Sequence, residues 1–151
     1  MSSPLSRSFP RGGLFSRDDY ESLAEFRYRL ARFLRRRKNT ALAQGLQPQQ
    51  YELLLAASAL PAGTEPTIKE IASQLCLEHH TVVELADRME KRGLLARRPS
   101  LADRRVVLLD LTRTGRDVLN RIVQSSFGEL RAEGPELIRS LRRILQKPKR
   151  L

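Results

Sequence analysis

The chain has few residues of the kinds that cross-link small secreted proteins or perform most catalysis. It contains one cysteine and two histidines among 151 residues. A single cysteine excludes an intramolecular disulfide framework and fits a reducing compartment, so we expect a cytoplasmic protein. Because the sequence also lacks a glycine-rich phosphate loop and a recognisable nucleophile motif, it predicts a protein that is not an enzyme and has no cofactor.

Long apolar runs are missing as well. No stretch approaches the roughly 20 apolar residues that a membrane-spanning helix needs, so no membrane association is expected. Residues 1–16 mix Ser, Pro, Gly and Arg without a continuous apolar segment, which argues against a secretory signal and predicts a flexible basic arm. Residues 17–145 are long enough for a single domain with its own core, followed by a frayed tail at 146–151.

Positive charge is what the chain has in excess. The formal net charge of +11 favours a polyanionic partner such as double-stranded DNA. The excess lies mainly in two segments, 17–38 and 112–151, whereas residues 67–111 hold eight basic and seven acidic residues. The overall charge therefore supports nucleic-acid binding but does not locate the site.

Residues 67–111 have the pattern of two helices and a hairpin. Thr67 and Glu70 stand at the spacing of a capping box, which predicts a helix start. After a turn at 76–78, a second helix has one apolar side and one polar side, and Gly93 suits the left-handed residue that ends a helix. The polar side holds His80, Thr81, Glu84, Arg88 and Lys91.

The residues after Gly93 predict strands over 94–98 and 104–111, joined by a turn at 99–103. The expected fold class is therefore mainly α with a small β-hairpin, a winged helix-turn-helix over about 48–111. In this fold one helix can enter a DNA major groove while the hairpin reaches alongside it.

Amphipathic helices flank the winged segment. The spacing of apolar residues predicts helices over about 18–38, 49–59 and 113–132, and a further helix after a break at Gly134-Pro135. These helices have more apolar surface than one small core needs, which usually marks an interface. We therefore expect the N- and C-terminal helices, about 18–38 and 113–145, to form the dimerisation region of a homodimer.

Several phrases of the sequence resemble the MarR family of bacterial transcriptional regulators. They are LQP and YELL near residue 50, IASQL at 71–75, TVVELADRMEKRGL at 81–94, DRR at 103–105 and LTRTGR at 111–116. The resemblance covers about residues 20–145, and the 81–94 run together with DRR is fairly specific.

This resemblance implies a homodimer that binds a pseudo-palindromic operator, commonly as a repressor released by a small aromatic ligand or by thiol oxidation. It also implies that Arg105 enters the minor groove and that Asp103 holds Arg105 in place. A guanidinium ordered by a carboxylate suits the concentrated negative potential of a narrow groove. The residues that would bind a ligand cannot be read from the sequence.

Nine residues are the candidate DNA contacts. They are His79, His80, Thr81, Glu84, Arg88, Arg98, Asp103, Arg104 and Arg105. Glu84 has two interpretations, since it would either accept from a cytosine amino group or pair with Arg88 four residues later. We favour the pair with Arg88, because a lone carboxylate close to phosphates is costly.

Three further features have alternative interpretations. His79 and His80 are metal-ligating residue types, but neighbours on a helix point about 100° apart, so DNA contact is favoured and no metal is expected. Cys76 is expected to be a small buried residue and not an oxidant sensor. The run Arg35-Arg36-Arg37-Lys38 is either a solvated helix end or a set of phosphate contacts.

A second function stays open beside the sequence-specific regulator. The nearly neutral winged segment is also compatible with an architectural or protein-interaction module whose basic arms bind DNA without sequence preference.

Overall fold

The computed structural model describes residues 14–147. This range contains five helices and one antiparallel hairpin, which confirms the expected mainly helical fold. The elements are α1 (Arg17–Ala43), α2 (Pro48–Ser58), α3 (Ile68–Leu75), α4 (His79–Lys91), β1 (Leu95–Pro99), β2 (Val107–Leu111) and α5 (Arg113–Leu145). Residues 1–13 of the expected basic arm and 148–151 of the expected tail lie outside the described range. None of the described helices is both long and apolar enough to cross a membrane.

The described chain divides into two compact units. Residues 36–128 form the winged unit, which contains α2, α3, α4 and the hairpin. Residues 14–35 and 129–147 form the terminal unit, which contains the first part of α1 and the last part of α5.

The core of the winged unit is apolar and fully enclosed. Burying one leucine or isoleucine side chain stabilises a fold by about 1.5–3 kcal/mol, so this cluster fixes how the elements pack. Its least exposed large side chains are Leu46, Leu53, Leu54, Ile71, Val82, Met89, Leu109 and Ile122. Leu46 lies in the connection before α2, and the others come from α2, α3, α4, β2 and α5, which share this one core.

The hairpin is joined to the helix-turn-helix through the backbone. Strands β1 and β2 pair antiparallel, with Leu95 opposite Leu111 and Pro99 opposite Val107. The segment before α3 pairs with the other edge of β2, because Thr67 bridges Leu108 and the Leu109 amide donates to the Pro66 carbonyl at 2.9 Å. Strand β2 is therefore paired on both of its edges.

The start of α5 is fixed against the end of α4. As expected, Thr112 caps α5, since its hydroxyl accepts from the Gly115 amide at 3.0 Å. The same hydroxyl donates to the Gly93 carbonyl at 2.6 Å. Gly93 has φ +70°, the left-handed conformation expected of it.

Ion pairs connect α1 and α5 within the terminal unit. Arg29 lies 3.2 Å from Glu136, and Arg32 lies 3.5 Å from Glu133. Lys147, which the sequence assigned to a frayed tail, has its ammonium 2.6 Å from the Asp18 carboxylate. A hydrogen bond from that ammonium lowers the pKa of Asp18.

The helix ends differ from expectation in three places. Helix α1 begins with Ser16 as its cap, since the Ser16 amide donates to Asp19 at 2.7 Å, and it continues to Ala43. The run 35–38 is therefore not a helix end. The predicted break at Gly134-Pro135 is wrong, because α5 is continuous through it. Gly134 has no Cβ to meet the proline ring, and the ring removes only one helical hydrogen-bond donor.

Candidate nucleic-acid interface

The helix-turn-helix is formed by α3, a short turn and α4. The Thr67 hydroxyl accepts from the Glu70 amide at 3.1 Å, which confirms the predicted helix start. Helix α3 ends at Leu75, and its C-cap residue Cys76 has a left-handed φ of +53°. Cys76 is exposed, so the expectation of a buried residue is wrong. The left-handed backbone ends the helical repeat before Cys76 can join the buried side of α3.

Helix α4 has one buried side and one outward side. Val82, Leu85, Ala86 and Met89 face the core. Four candidates, His79, His80, Glu84 and Arg88, are exposed, and Thr81 is half-buried. All five candidate DNA contacts on α4 are therefore at least partly accessible from solvent.

Glu84 and Arg88 form an ion pair on the outward side of α4. The Glu84 carboxylate lies 3.7 Å from the Arg88 guanidinium, one helical turn away. Both side chains are about two-thirds exposed, so the pair contributes little stability. This contact confirms the interpretation that Glu84 pairs with Arg88, and its consequence is an oriented guanidinium.

Sequence reasoning missed Arg97, which connects the hairpin to α4. Its guanidinium lies 2.6 Å from the Asp87 carboxylate and also pairs with Glu90, both on α4. The hydrogen bond to Asp87 raises the pKa of Arg97, so the side chain stays charged. We call this contact the Arg97 bridge, and it fixes the hairpin beside α4.

A signal for the Arg97 bridge exists in the sequence. Residues on one face of a strand alternate, so Arg97 lies on the same face as the buried Leu95. A charged residue at such a position needs a partner of opposite sign. Asp87 and Glu90, three residues apart on α4, supply that partner.

The hairpin tip is longer than predicted. Arg104 and Arg105 lie in the connecting loop 100–106 and not in a strand, because β2 begins only at Val107. Asp103 acts on Arg105 through the backbone, since its carboxylate accepts from the Arg105 amide at 3.0 Å. Over residues 14–147, neither Arg104 nor Arg105 has a side-chain ion pair. Both arginines are exposed.

Arg98 differs from the two tip arginines. It forms an ion pair with Asp110 across the hairpin, and both side chains are nearly half exposed. The structure therefore divides the wing candidates into one paired residue within strand β1 and two exposed arginines in the tip loop.

The acidic residues of this segment are largely neutralised within it. Glu84 pairs with Arg88, Asp87 and Glu90 share Arg97, and Asp110 pairs with Arg98. The tip loop holds Arg104 and Arg105 against one acid, Asp103, so the segment combines a nearly neutral sum with a net positive tip. Charge position, and not total charge, decides where a polyanion can bind.

Within the basic run of α1, Arg37 differs from its exposed neighbours Arg35, Arg36 and Lys38. The Arg37 guanidinium donates to the Tyr51 hydroxyl at 2.7 Å and lies 5.4 Å from the centre of the Tyr51 ring. Arg37 therefore packs against α2 within the winged unit.

The described residues bring no three His, Cys, Asp or Glu side chains close enough to hold a metal ion. His79 and His80 stand in the first turn of α4, and both are exposed.

Comparisons with known proteins agree with this geometry. The model of the MarR family matches residues 46–107. AbsC, a MarR family transcriptional regulator from Streptomyces coelicolor, superposes with a TM-score of 0.67 at 17% identity, covering 82% of each chain. CouR from Rhodococcus jostii RHA1 bound to p-coumaroyl-CoA has a TM-score of 0.66 at 23% identity, covering 87% of this chain and 94% of that one.

A structure of the transcriptional repressor CouR bound to a 23-mer DNA duplex has a TM-score of 0.55 at 28% identity, covering 74% of each chain. A search of curated proteins found no significant match.

Proposed function

We propose that the chain, whose residues 46–107 match the model of the MarR family, is a sequence-specific DNA-binding transcriptional regulator of that family. The observation that carries this proposal is the Arg97 bridge, which holds the hairpin beside the polar side of α4. With that geometry, α4 enters a major groove and the hairpin tip reaches an adjacent minor groove.

The proposed contacts divide by role. On α4, His79, His80 and Thr81 contact base edges or phosphates at the start of the helix, and Arg88 reads a base edge with Glu84 orienting it. On the hairpin, Arg104 and Arg105 enter the minor groove, where negative potential is concentrated. Asp103 fixes the backbone at Arg105, and Arg98 supplies a phosphate contact from the donors that Asp110 does not use.

We further propose that the protein acts as a homodimer on a pseudo-palindromic operator. The support is a set of exposed apolar side chains on the terminal helices, since patches of this kind mark interfaces. They are Tyr20, Leu23, Tyr28, Leu34, Phe127, Leu130, Ile138, Leu141 and Leu145. Two copies related by a two-fold axis would face half-sites roughly 34–36 Å apart.

The proposed mode of action is repression relieved by a small aromatic ligand. Its support is CouR, which is described as a transcriptional repressor and has been solved both on DNA and with p-coumaroyl-CoA. A ligand that prefers the DNA-free state shifts the population away from the operator by its difference in affinity for the two states.

Selection from a pool of random duplexes tests the proposal. The full chain is mixed with the pool in excess competitor DNA, and bound duplexes are recovered and sequenced. We expect enrichment of one palindromic motif. Even recovery of all sequences, with affinity governed by salt alone, would instead indicate the architectural module.

Arg105→Ala tests the wing assignment on the enriched duplex. We expect affinity to fall roughly 5- to 100-fold, the range of one good arginine contact to DNA. The melting temperature should not change, because Arg105 is exposed and its side chain has no ion pair among the described residues. Arg116→Ala removes the same charge from an exposed position on α5 and is the matched control. Equal affinities for the two variants in a gel-shift titration would contradict the assignment.

A further inference from the structure

The most exposed apolar side chain described is at the tip of the hairpin. Leu101 is 96% exposed, whereas its neighbour Ser100 is 1% exposed. Leu101 lies in the same loop as Arg104 and Arg105, between Pro99 of β1 and Val107 of β2. A leucine in this position gains nothing from the core of the protein.

The loop that presents Leu101 is held in one shape by hydrogen bonds around a buried hydroxyl. The Ser100 hydroxyl donates to the Glu65 carboxylate at 2.9 Å and accepts from the Ala102 amide at 3.1 Å. The ends of the loop are closed, since the Ser100 amide donates to the Val106 carbonyl at 2.8 Å. The Val106 amide in turn donates to the Asp103 carbonyl at 2.9 Å.

These bonds involve the residues on either side of Leu101. Its side chain is thus directed outward by a loop whose base is buried and whose tip arginines are exposed. Any surface that receives Arg104 and Arg105 also meets an isobutyl group.

We propose that Leu101 is a minor-groove contact of this protein, packing its apolar side chain against sugars and base edges next to the site of Arg105. This inference rests on the proposed function, since it assigns a further residue to the same interface. Leucine is among the apolar side chains that minor-groove proteins place against base steps. The contact buries apolar surface from the protein and from the groove and exchanges no phosphate counterion.

Because the Leu101 contact exchanges no counterion, its loss should change the salt dependence of binding differently from the loss of an arginine contact. Removing a phosphate-contacting cation lowers affinity and reduces the slope of log affinity against log salt by about one. Removing an apolar contact lowers affinity equally at every salt concentration. Leu101 and Arg105 therefore act in the same groove but differ in salt dependence.

Leu101→Ser and Arg105→Ala are compared with the wild type on the enriched duplex and on a mixed-sequence duplex, over a range of salt concentrations. For Leu101→Ser we expect affinity to fall roughly 5- to 20-fold, the size of burying part of a leucine, with a slope parallel to that of the wild type. Leu101→Met, which keeps an apolar side chain of similar volume, should restore most of the affinity. Ala102→Ser, which adds a hydroxyl at the neighbouring exposed position, is the matched control.

Wild-type affinity for Leu101→Ser, or a loss that Leu101→Met does not restore, would overturn the inference. A slope reduced as in Arg105→Ala would also overturn it, because the loss would then be electrostatic. If the wild type prefers no duplex, the proposed sequence-specific function fails. In that case, comparing the variants with the wild type on the mixed-sequence duplex still tests whether Leu101 contacts the groove.

Discussion

At the scale of single residues, Gly115 imposes the strictest requirement in the winged unit. A Cβ atom at this position would lie 2.0 Å from the Leu94 carbonyl oxygen. That oxygen belongs to the backbone and accepts from the Thr112 amide at 3.2 Å, so it cannot move away without breaking the junction between α4, β1 and α5. The glycine is required for close approach and not for an unusual φ.

Gly115→Ala should lower the free energy of unfolding by about 1–3 kcal/mol, the usual cost of forcing an extra methyl group into a packed site. Gly128→Ala is the matched control, because that glycine is also in α5 and a Cβ there meets no atom within 4 Å. The control should be stabilised by about 0.5–1 kcal/mol through helix propensity. Urea unfolding of both variants measures the difference. Equal stabilities would show that α5 can shift away from Leu94.

Residue-scale features were predicted well where they depend on local backbone chemistry. Thr67, Gly93 and Thr112 have the roles that their residue types suggest. Cys76 was not predicted to be exposed, because whether a turn residue faces the core depends on the left-handed backbone at that one position. Glycine is the residue type that indicates such a conformation in a sequence, and the turn at 76–78 contains none.

At the scale of elements, the Arg97 bridge links β1 to α4. A planar guanidinium offers two parallel pairs of donors, so one arginine can serve Asp87 and Glu90 at the same time. The bridge consists of charges that are not deeply buried, and its contribution to overall stability is therefore modest. The bridge instead fixes the position of the hairpin relative to α4.

Arg97→Gln should weaken binding to the enriched duplex roughly 3- to 10-fold while Tm changes little. Because Arg97 acts by positioning the hairpin that carries Arg105, the losses of binding free energy in Arg97→Gln and Arg105→Ala should not be additive. Adding Arg97→Gln to the Arg105→Ala variant should therefore weaken binding much less than Arg97→Gln weakens the wild type. Arg139→Gln, which removes an exposed pair with Glu136 on α5, is the control and should bind as the wild type. Full additivity in gel-shift titrations would mean that Arg97 contributes independently of the wing.

The elements themselves were predictable, but their ends were less so. Helical periodicity predicts the five helices of residues 14–147. It also predicts a break at Gly134-Pro135, because the sequence does not show that Glu133 and Glu136, on either side of it, pair with α1. The strands were predicted a few residues too long at Arg104. The Arg97 bridge requires contacts between residues ten and seven positions apart, which periodicity within one element cannot indicate.

At the scale of the whole molecule, the exposed apolar side chains of α1 and α5 predict the association of two chains. The proposed homodimer depends on apolar side chains that the single chain leaves exposed on α1 and α5. A dimer of this kind would bury them in a two-fold interface.

Removal of residues 133–151 should yield monomers, because it deletes Ile138, Leu141 and Leu145 from the exposed apolar set. Since truncation also removes the ion pairs between α5 and α1, the variant Ile138→Glu/Leu145→Glu provides a second test with those pairs intact. Asn120→Glu adds a charge at an exposed polar position of α5 and is the control. Sedimentation velocity gives the mass of each. A truncated chain and a double variant that both sediment as dimers would contradict the proposed interface.

Total charge was a poor guide to the location of the candidate site. The sequence gives residues 67–111 nearly equal numbers of acidic and basic residues. Only the structure shows that most of these acids are paired with Arg88, Arg97 and Arg98. Such pairing depends on distances across elements, so a count of residues cannot supply it.

The bonds made by the Ser100 hydroxyl also affect the entropy of binding. Fixing one residue of a flexible loop costs roughly 1–2 kcal/mol in conformational entropy. Because Glu65 and the amides around Ser100 order the hairpin tip within the folded protein, this cost belongs to folding and not to association. Leu101, Arg104 and Arg105 thus meet a groove as a preorganised set. An unstructured tip with the same three side chains would bind more weakly.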